Sequence, residues 1–379
     1  MKIEQKKWTA SDGWKPDNTS LLGDSAQLVL VFASPAIIQQ QDLLNDINSR
    51  YPNAVMFGCS TAGEIYGTRV LDDSLIMTAV KFENTTLKSS GIQIKDASES
   101  FHAGQQLVQS IDLKDLCHVF ILSDGLKVNG SDLVSGIRTH LPDNITITGG
   151  LSGDGDRFQE TFVLSGNRAK KDSITILGFY GKHIKIGYGS LGGWDPFGPE
   201  RLITRSKGNI LYELDGKSAL ELYKKYLGDH AKGLPATGLL FPLSLRSEGG
   251  ESGLVRTILS VDEETQSMTF AGDLPEGSYA RLMKANFNRL IDGAAGAAET
   301  SSSALGEVDP ELAILISCVG RKMVLKQRIE EEVEAVHEIF GEKTVLTGFY
   351  SYGEISPFRP GIKCELHNQT MTITTISEI

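Results

Sequence analysis

The sequence has few of the features that mark membrane, secreted or nucleic-acid-binding proteins. It contains no apolar run of the roughly 18 to 20 residues that a membrane-spanning helix needs, and residues 1–8 are polar without the core of a signal peptide. Lysine and arginine occur without clusters, and the formal net charge of -11 argues against a general nucleic-acid binder. We therefore expect a cytoplasmic protein that binds neither nucleic acid nor membrane.

Cysteine is also scarce. The four cysteines, Cys59, Cys117, Cys318 and Cys364, are far apart and form no Cys-x-x-Cys pair, so the sequence signals neither a zinc site nor a disulfide scaffold. With 379 residues, 40% hydrophobic and 22% charged, the chain is long enough for two or three domains with a substantial core.

A glycine-containing segment occurs three times in the chain. Gly-Cys-Ser-Thr-Ala-Gly-Glu-Ile at residues 58–65 returns as Gly-Phe-Tyr-Ser-Tyr-Gly-Glu-Ile at residues 348–355, and Gly-Leu-Ser-Gly-Asp-Gly at residues 150–155 is a looser copy. We call residues 58–65, 150–155 and 348–355 the first, second and third glycine loops. Internal repeats of this kind often reveal the architecture of a fold.

The three glycine loops share a context of strand, helix and strand. Each loop follows a short β-rich run. A longer apolar run that ends in serine lies roughly 20 to 30 residues before each loop. These earlier runs are residues 28–34, 118–123 and 312–317. A pattern of helical spacing separates the two runs of each copy, and a crossover helix normally makes such strands parallel. Alternating β-branched segments after each loop predict added strands, so we expect an α/β fold of repeated strand-helix-strand units with mixed sheets in two domains.

Parallel strands place the loops that follow them at one edge of the sheet, where open α/β sheets bind their ligands. The candidate ligand-binding residues at these edges are Cys59, Ser60, Thr61, Gly63, Glu64, Gly150, Ser152, Asp154, Ser317, Arg321, Tyr350, Tyr352 and Glu354. In a strand-edge cleft, Glu64 or Glu354 would bind an ammonium group and Arg321 a carboxylate, as a zwitterionic amino acid requires. Alternatively, the loops are ordinary connectors, and the two glutamates accept hydrogen bonds from neighbouring backbone.

Catalysis is the less favoured interpretation. Cys59 or Ser152 could act as a nucleophile, but no histidine lies near either in the sequence to activate it. Residues 216–218, Gly-Lys-Ser, end like a phosphate-binding loop, yet the glycine expected five residues upstream is replaced by Leu211. We therefore expect a binding protein and not an enzyme.

The repeats also suggest a domain organisation. Residues 1–25 form a polar N-terminal lead, residues 26–220 a first domain of two α/β units, and residues 221–379 a second domain with the third unit. A β-hairpin insertion is predicted from residues 255–261 and 267–270. A helix at residues 285–298 is followed by a serine-rich connector at residues 300–309.

Several motifs in the same order resemble the FIST domains, which are sensory modules of signal transduction. The first glycine loop, residues 149–158, residues 192–194 and residues 211–216 are similar to the FIST N-terminal domain. Residues 241–243, 270–273, 317–321 and the third glycine loop resemble the FIST C-terminal domain. The resemblance covers nearly the full chain.

The resemblance implies a sensor of small ligands, with amino acids suggested for the family, that signals to a partner such as a histidine kinase or a cyclic-dinucleotide (cyclic-di-GMP) enzyme. Since the chain has no kinase, receiver or cyclase motif, it would act on a separate protein. Some members of the family bind haem and sense nitric oxide, which makes haem b an alternative ligand whose axial residue leaves no compact sequence mark. Seven histidines are candidates without a favourite: His102, His118, His140, His183, His230, His337 and His367.

Overall fold

The computed structural model describes residues 1–17, 20–246, 254–357 and 363–379. The strands are β1 (Lys2–Thr9), β2 (Gly13–Lys15), β3 (Leu28–Ala33), β4 (Val55–Ser60), β5 (Glu64–Tyr66), β6 (Arg69–Leu71), β7 (Ser74–Lys81), β8 (Thr86–Gln93), β9 (Leu116–Ser123), β10 (Thr146–Leu151), β11 (Val163–Ser165), β12 (Arg168–Lys170), β13 (Ser173–Tyr180), β14 (Ile184–Leu191), β15 (Trp194–Pro196), β16 (Arg201–Lys207), β17 (Ile210–Leu214), β18 (Lys217–Ser218), β19 (Leu243–Arg246), β20 (Leu254–Arg256), β21 (Ile258–Asp262), β22 (Ser267–Phe270), β23 (Tyr279–Ala285), β24 (Leu312–Cys318), β25 (Val345–Ser351), β26 (Gly353–Pro357), β27 (Cys364–His367) and β28 (Met371–Glu378). The α-helices are α1 (Pro35–Ile38), α2 (Gln41–Arg50), α3 (Ser100–Gln109), α4 (Gly130–Arg138), α5 (Ala219–Leu227), α6 (Phe287–Leu305), α7 (Val319–Leu325) and α8 (Ile329–Phe340).

Three sheets repeat one arrangement. Each contains a parallel pair with helices in the crossover, namely β3 and β4, β9 and β10, and β24 and β25. An antiparallel strand, β7, β13 or β28, flanks the first member of each pair. The predicted fold class, α/β with repeated strand-helix-strand units and mixed sheets, is therefore confirmed.

The hairpin that follows each glycine loop leaves its own unit and joins the sheet of another. The hairpin β5–β6 pairs with β25 in the third sheet, β11–β12 pairs with β4 in the first, and β26–β27 pairs with β10 in the second. The exchange is cyclic, so every sheet is completed by chain from a different unit. The three glycine loops, where these crossings occur, are consequently brought together.

The shared core lies between the three sheets. Ring centroids of Phe32 and Phe349 are 4.8 Å apart, and those of Phe57 and Phe120 are 6.0 Å apart, so each contact joins two different sheets. Helices cover the outer faces of the sheets. This arrangement explains why all residues of β3 and β24 are buried: each strand has the common core on one face and helices on the other.

A fourth, nine-stranded sheet is built from the chain between β14 and α6. It contains the antiparallel hairpin β21–β22, where a hairpin insertion is predicted, and α5 packs on it. The same sheet includes β16 and β17, which precede the predicted boundary at residue 220. Similarly, β14 pairs along its whole length with β28. Residues 184–218 thus associate with the second predicted domain, because strand pairing depends on available edges and not on proximity in sequence.

Two segments differ from their predicted structure. The polar N-terminal lead contains β1, which pairs with β7 from Lys2↔Lys81 to Thr9↔Ser74; residues 18 and 19 of the lead lie outside the described residues. Its charged residues are typical of an exposed segment, but in the strand Glu4 and Lys6 are buried and form an ion pair. Helix α6 continues through the predicted connector at residues 300–309 as far as Leu305, and the buried Ser301 hydroxyl forms a hydrogen bond with Thr375. Within the described part of the chain, no helix is long and apolar enough to span a membrane.

Candidate functional site

The structure brings the predicted site residues together and buries all of them at the place where they meet. Ser60 Oγ donates to the Gly153 carbonyl at 2.8 Å, the Ala62 N–H to the Tyr350 carbonyl at 2.8 Å, and the Tyr352 N–H to the Leu151 carbonyl at 3.2 Å. These bonds join each glycine loop to the next. All thirteen predicted residues are buried. The expected strand-edge cleft must therefore be corrected for the described residues: the loops themselves fill it.

The carboxylates of Glu64 and Glu354 have equivalent partners within the fold. Glu64 accepts from the Thr61 hydroxyl and, at 2.7 Å, from Ser74 Oγ. Glu354 accepts from Ser351 Oγ at 2.6 Å and from Thr370 Oγ1 at 3.0 Å. Backbone N–H groups of Ser74 and Thr370 donate as well. These contacts favour the structural role for both glutamates.

The protonation of the two glutamates also bears on their role. Burial raises the pKa of Glu64 to about 7 and that of Glu354 to about 8, against the lowering effect of their hydrogen bonds. A carboxyl group that holds its proton near neutral pH binds an ammonium ion weakly. The pKa values thus add a second reason for a structural role.

Arg321 is engaged in a buried ion pair. Its Nε and Nη2 donate to Glu332 Oε2 at 2.9 and 2.7 Å, and both side chains have no exposed surface. The other oxygen of Glu332 accepts from Ser317 Oγ at 2.9 Å and from the Tyr350 hydroxyl at 2.6 Å. Nη1 and Nη2 also donate to backbone carbonyls. The guanidinium that we expected to bind a ligand carboxylate therefore has a protein carboxylate in that place.

The second glycine loop is stabilised in a similar way. Asp154 accepts hydrogen bonds from three consecutive backbone N–H groups, residues 158–160, and from the Tyr352 hydroxyl. Ser152 Oγ donates to the Ser123 carbonyl at 2.9 Å. Gly150 lies opposite Glu354 in the β10–β26 pair, and an added Cβ there would approach Ile316 to 2.8 Å. Loop architecture alone accounts for these residues.

Neither residue considered as a nucleophile is placed for reaction. Burial raises the pKa of the Cys59 thiol well above its usual value, which disfavours the reactive thiolate. Ser152 has no histidine partner among its described hydrogen bonds.

Two of the seven histidine candidates for a haem ligand are buried within the protein. His118 is fully buried between the hydroxyls of Thr146 and Thr148, and burial lowers its pKa to about 3. His367 is buried, and burial lowers its pKa to about 4. No histidine lines the two cavities, of about 530 and about 270 Å³, that lie beside α4. Groups of three metal-binding side chains are likewise absent from the described residues.

A cavity large enough for a small molecule lies elsewhere, between α4 and the strands β20 and β27. We call it the α4 cleft. Its volume is about 530 Å³, which falls within the range of small-molecule sites. It is lined by Ser131, Val134, Ser135, Arg138, Thr139, Asp143, Leu254, Arg256, Asp273, Pro275, Lys363, Cys364, Glu365 and Leu366. The lining combines segments of both predicted domains.

Arg256 is the most informative residue of the α4 cleft. Its side chain is buried, and it donates only to backbone carbonyls: from Nε to Asp273 at 3.1 Å and from Nη1 to Leu366 at 2.9 Å and Val255 at 3.3 Å. Among the described residues it has no carboxylate partner, and its Nη2 has no hydrogen-bond partner. Burial lowers the pKa of Arg256 to about 10, although Glu365 and Asp273 act in the opposite direction. A buried cation that has no carboxylate in hydrogen-bond contact is unfavourable, and an anion in the cleft would relieve it.

A second polar group near Arg256 also lacks a partner. Ser131 Oγ is buried without a hydrogen bond, and Ser131 lies in the first turn of α4. A Cβ added to Gly272 would lie 3.0 Å from both Ser131 Oγ and Arg256 Cζ, so both groups face the same small space. The N-terminal end of a helix favours negative charge. The first N–H groups of α4 are already capped by Asn129 Oδ1, so the two features that favour an anionic group here are Arg256 and the Ser131 hydroxyl.

Negative charge is present at the same cleft. Asp273 accepts from Asn129 Nδ2 at 3.0 Å, and Glu365 lies on β27 beside the cleft. Arg138 contacts Asp143 at 3.2 Å on the opposite wall. The cleft thus offers both an anion-binding position and carboxylates for a cation.

Sequence reasoning missed this site because its residues come from four segments that are distant in sequence, and none lies in a glycine loop. One signal was available: Arg256 stands between Val255 and Thr257 in a predicted strand, where a charged residue on a buried face is unusual.

Comparisons with known proteins support the resemblance found in the sequence. Residues 27–217 match the model of the FIST N domain, and residues 219–357 match that of the FIST C domain. An uncharacterised protein of Methanocaldococcus jannaschii is 23% identical over 372 residues, which cover 87% of this chain and 70% of that protein.

Two solved structures are similar over the full chain but at low scores. A cyanuric acid hydrolase from A. caulinodans has a TM-score of 0.38 and 7% identity, covering 100% of this chain and 98% of its own. A chorismatase has a TM-score of 0.36 and 9% identity, covering 99% and 98%. Likenesses at these scores carry no argument about the function of this chain.

Proposed function

Since this chain belongs to the FIST family of sensory signal-transduction domains, we propose that it is a sensor whose small, amino-acid-like ligand binds in the α4 cleft. The observation that carries the proposal is the buried guanidinium of Arg256, which lines a cleft of about 530 Å³ and has no carboxylate partner among the described residues. A ligand carboxylate would supply the missing charge and accept hydrogen bonds from Nη2 and from Ser131 Oγ.

The rest of the α4 cleft suits the other parts of such a ligand. Asp273 and Glu365 provide negative charge for an ammonium group, while Val134, Leu254 and Leu366 provide apolar surface for a side chain. This division into a few polar groups and an apolar wall is typical of small-molecule sites. We thus propose that a zwitterion binds in the α4 cleft and not at the glycine loops, because Arg256 Nη2 and Ser131 Oγ have no hydrogen-bond partner among the described residues.

A structural connection leads from the α4 cleft to the glycine loops. Arg256 donates to the Leu366 carbonyl, the neighbouring Thr257 N–H donates to Asn368 Oδ1, and Thr370 donates to Glu354. Ligand binding at Arg256 would therefore act on the segment that supports the third glycine loop. We propose that this change is transmitted to a separate cytoplasmic partner, a histidine kinase or a cyclic-dinucleotide enzyme.

The test uses a panel of free amino acids, dipeptides and tripeptides. Thermal unfolding would identify stabilising compounds, and calorimetry would give their Kd. For a compound that binds, we expect Arg256→Gln to weaken the affinity at least tenfold, because a hydrogen bond to a charged group contributes about 1.5–3 kcal/mol. Ser131→Ala should weaken it about threefold without loss of stability, since that hydroxyl has no partner in the fold.

Arg205→Gln is the matched control, because Arg205 is exposed on β16 and paired with Glu213. It should bind as the unchanged protein does. The proposal is contradicted if no member of the panel binds, or if a bound compound is insensitive to both Arg256→Gln and Ser131→Ala.

A further inference from the structure

Two of the strands that line the α4 cleft are edge strands. Strand β20 lies at one edge of the nine-stranded sheet and pairs with β19. Strand β27 lies at one edge of the second sheet and pairs with β26. Within the described residues neither strand has a partner on its other side. An exposed edge presents unpaired backbone N–H and C=O groups to any extended chain that fits beside it.

The contacts of Arg256 show which backbone groups face the cleft. Its Nη1 donates to the carbonyls of Leu366 and Val255, so these two carbonyls point away from β26 and β19. Because the N–H and C=O of one strand residue point to the same side, the N–H of Leu366 faces the cleft as well. The residue two positions earlier, Cys364, has the same orientation. Within the described residues, the N–H groups of Leu366 and Cys364 therefore lie along the cleft without a strand partner, whereas the Leu366 carbonyl accepts from Arg256.

The dimensions of the cleft exceed those of a free amino acid. A volume of about 530 Å³ leaves room for a compound larger than a free amino acid. A second cavity of about 270 Å³ adjoins it and shares Arg138, Asp143, Lys363 and Cys364. The space thus continues along β27 away from Arg256.

We propose that the ligand of the α4 cleft is a short peptide with a free C-terminal carboxylate. Resting on the proposed function above, this inference defines the ligand class: the carboxylate binds Arg256 and Ser131, and the peptide backbone pairs with the edge of β27 at Leu366 and Cys364. Backbone pairing supplies affinity that does not depend on the side chains, and recognition by strand addition works in this way. The amino terminus then extends toward the adjoining cavity.

Three probes distinguish this inference from binding of a free amino acid. They are a mixture of tripeptides with randomised side chains and free C-terminal carboxylates, the same mixture as C-terminal amides, and a mixture of free amino acids. Each is equilibrated with the full-length protein and the retained compounds are measured by mass spectrometry. We expect tripeptide acids to be retained at least tenfold more than amides and more than amino acids. Arg256→Gln should remove the difference between acids and amides, and Arg205→Gln should preserve it.

Hydrogen exchange tests the pairing itself, because added strand bonds should slow exchange of the Leu366 N–H when tripeptide acids are bound. Retention of free amino acids equal to or greater than that of tripeptides would overturn the peptide inference and leave the proposed function standing. Equal retention of acids and amides would overturn the carboxylate anchor. If none of the three probes is retained, both the inference and the proposed function fail.

Discussion

In the glycine loops, burial affects the pKa values of Glu64 and Glu354 more than nearby charges do. Glu64 and Glu354 have little or no exposed surface, and each accepts three hydrogen bonds from the same protein segments that close the loops. Arg321 and Glu332 neutralise each other in the same region. These groups suggest a zwitterion site in the sequence, whereas among the described residues it is the buried guanidinium of Arg256 that has no carboxylate partner.

The raised pKa values of the two glutamates predict a dependence of stability on pH. A carboxyl group whose pKa is higher in the folded state contributes most below its unfolded value of about 4.3, and the contribution is lost as the pH rises through the folded value. Folded values of about 7 and about 8 therefore predict falling stability between pH 4.5 and 8. Between pH 4.5 and 8, the free energy of unfolding of Glu64→Gln should fall by on the order of 2 kcal/mol less than that of the unchanged protein. Denaturant unfolding at several pH values measures this difference.

Glu299→Gln is the control, because this glutamate is exposed on α6. Its pH profile should follow that of the unchanged protein. Parallel profiles for Glu64→Gln and the unchanged protein would contradict the assignment of a protonated, buried Glu64.

At the scale of secondary-structure elements, each of the three parallel strand pairs requires a glycine at the equivalent position of its second strand. Gly58, Gly149 and Gly348 lie opposite Val31, Ile121 and Leu315 in their respective registers. A Cβ at any of them would come within 1.9 to 2.0 Å of the carbonyl oxygen of the residue opposite. The repeated glycine therefore permits close contact between strands, and ligand access is not needed to explain it.

Replacement of this glycine should be costly. Gly348 also has a φ of 154°, which side-chain-bearing residues rarely adopt. Gly348→Ala should lower the free energy of unfolding by about 3 kcal/mol or more, since both the overlap and the backbone strain oppose it. Gly192→Ala serves for comparison, because the nearest atom to its added Cβ is 3.6 Å away. Chemical denaturation of the two variants measures the difference; equal losses would refute the explanation.

At the scale of the whole molecule, the cyclic exchange of hairpins makes the two matched FIST regions dependent on each other. Hairpin β5–β6 finds its partner strand in β25, and β14 pairs with β28. The central core likewise includes Phe349, Ile314 and Ile316 from the C-terminal region. Folding of either region alone would leave apolar surface and strand edges exposed.

A chain of residues 1–217 should therefore fail to fold by itself. We expect low near-ultraviolet circular dichroism and rapid proteolysis for this fragment and for residues 218–379, and recovery of both signals when the two are mixed. The full chain should unfold in one cooperative transition. A fragment 1–217 that melts cooperatively alone would show that the exchanged hairpins contribute less than the structure indicates.

The sequence by itself determined the repeating unit and the fold class, whereas the exchange of hairpins between sheets decided that the three glycine loops meet. Apolar periodicity and turn residues act locally, so β3, β9 and β24 and the loops after their partners were predictable from short windows of sequence. The same local information failed for β1, whose alternating charges concealed a strand. Family resemblance added the sensory class, which the residues alone did not contain.

Tertiary structure decided which polar groups still need a partner. Glu64, Glu354 and Arg321 resemble ligand contacts in the sequence, but their hydrogen bonds come from residues up to 129 positions away, as in the bond from Arg321 to the Gly192 carbonyl. Arg256 resembles an ordinary strand residue, yet the meeting of β20, β27 and α4 buries it with no carboxylate partner among the described residues. Burial and pairing depend on the whole set of neighbours, and only the folded chain brings those neighbours together.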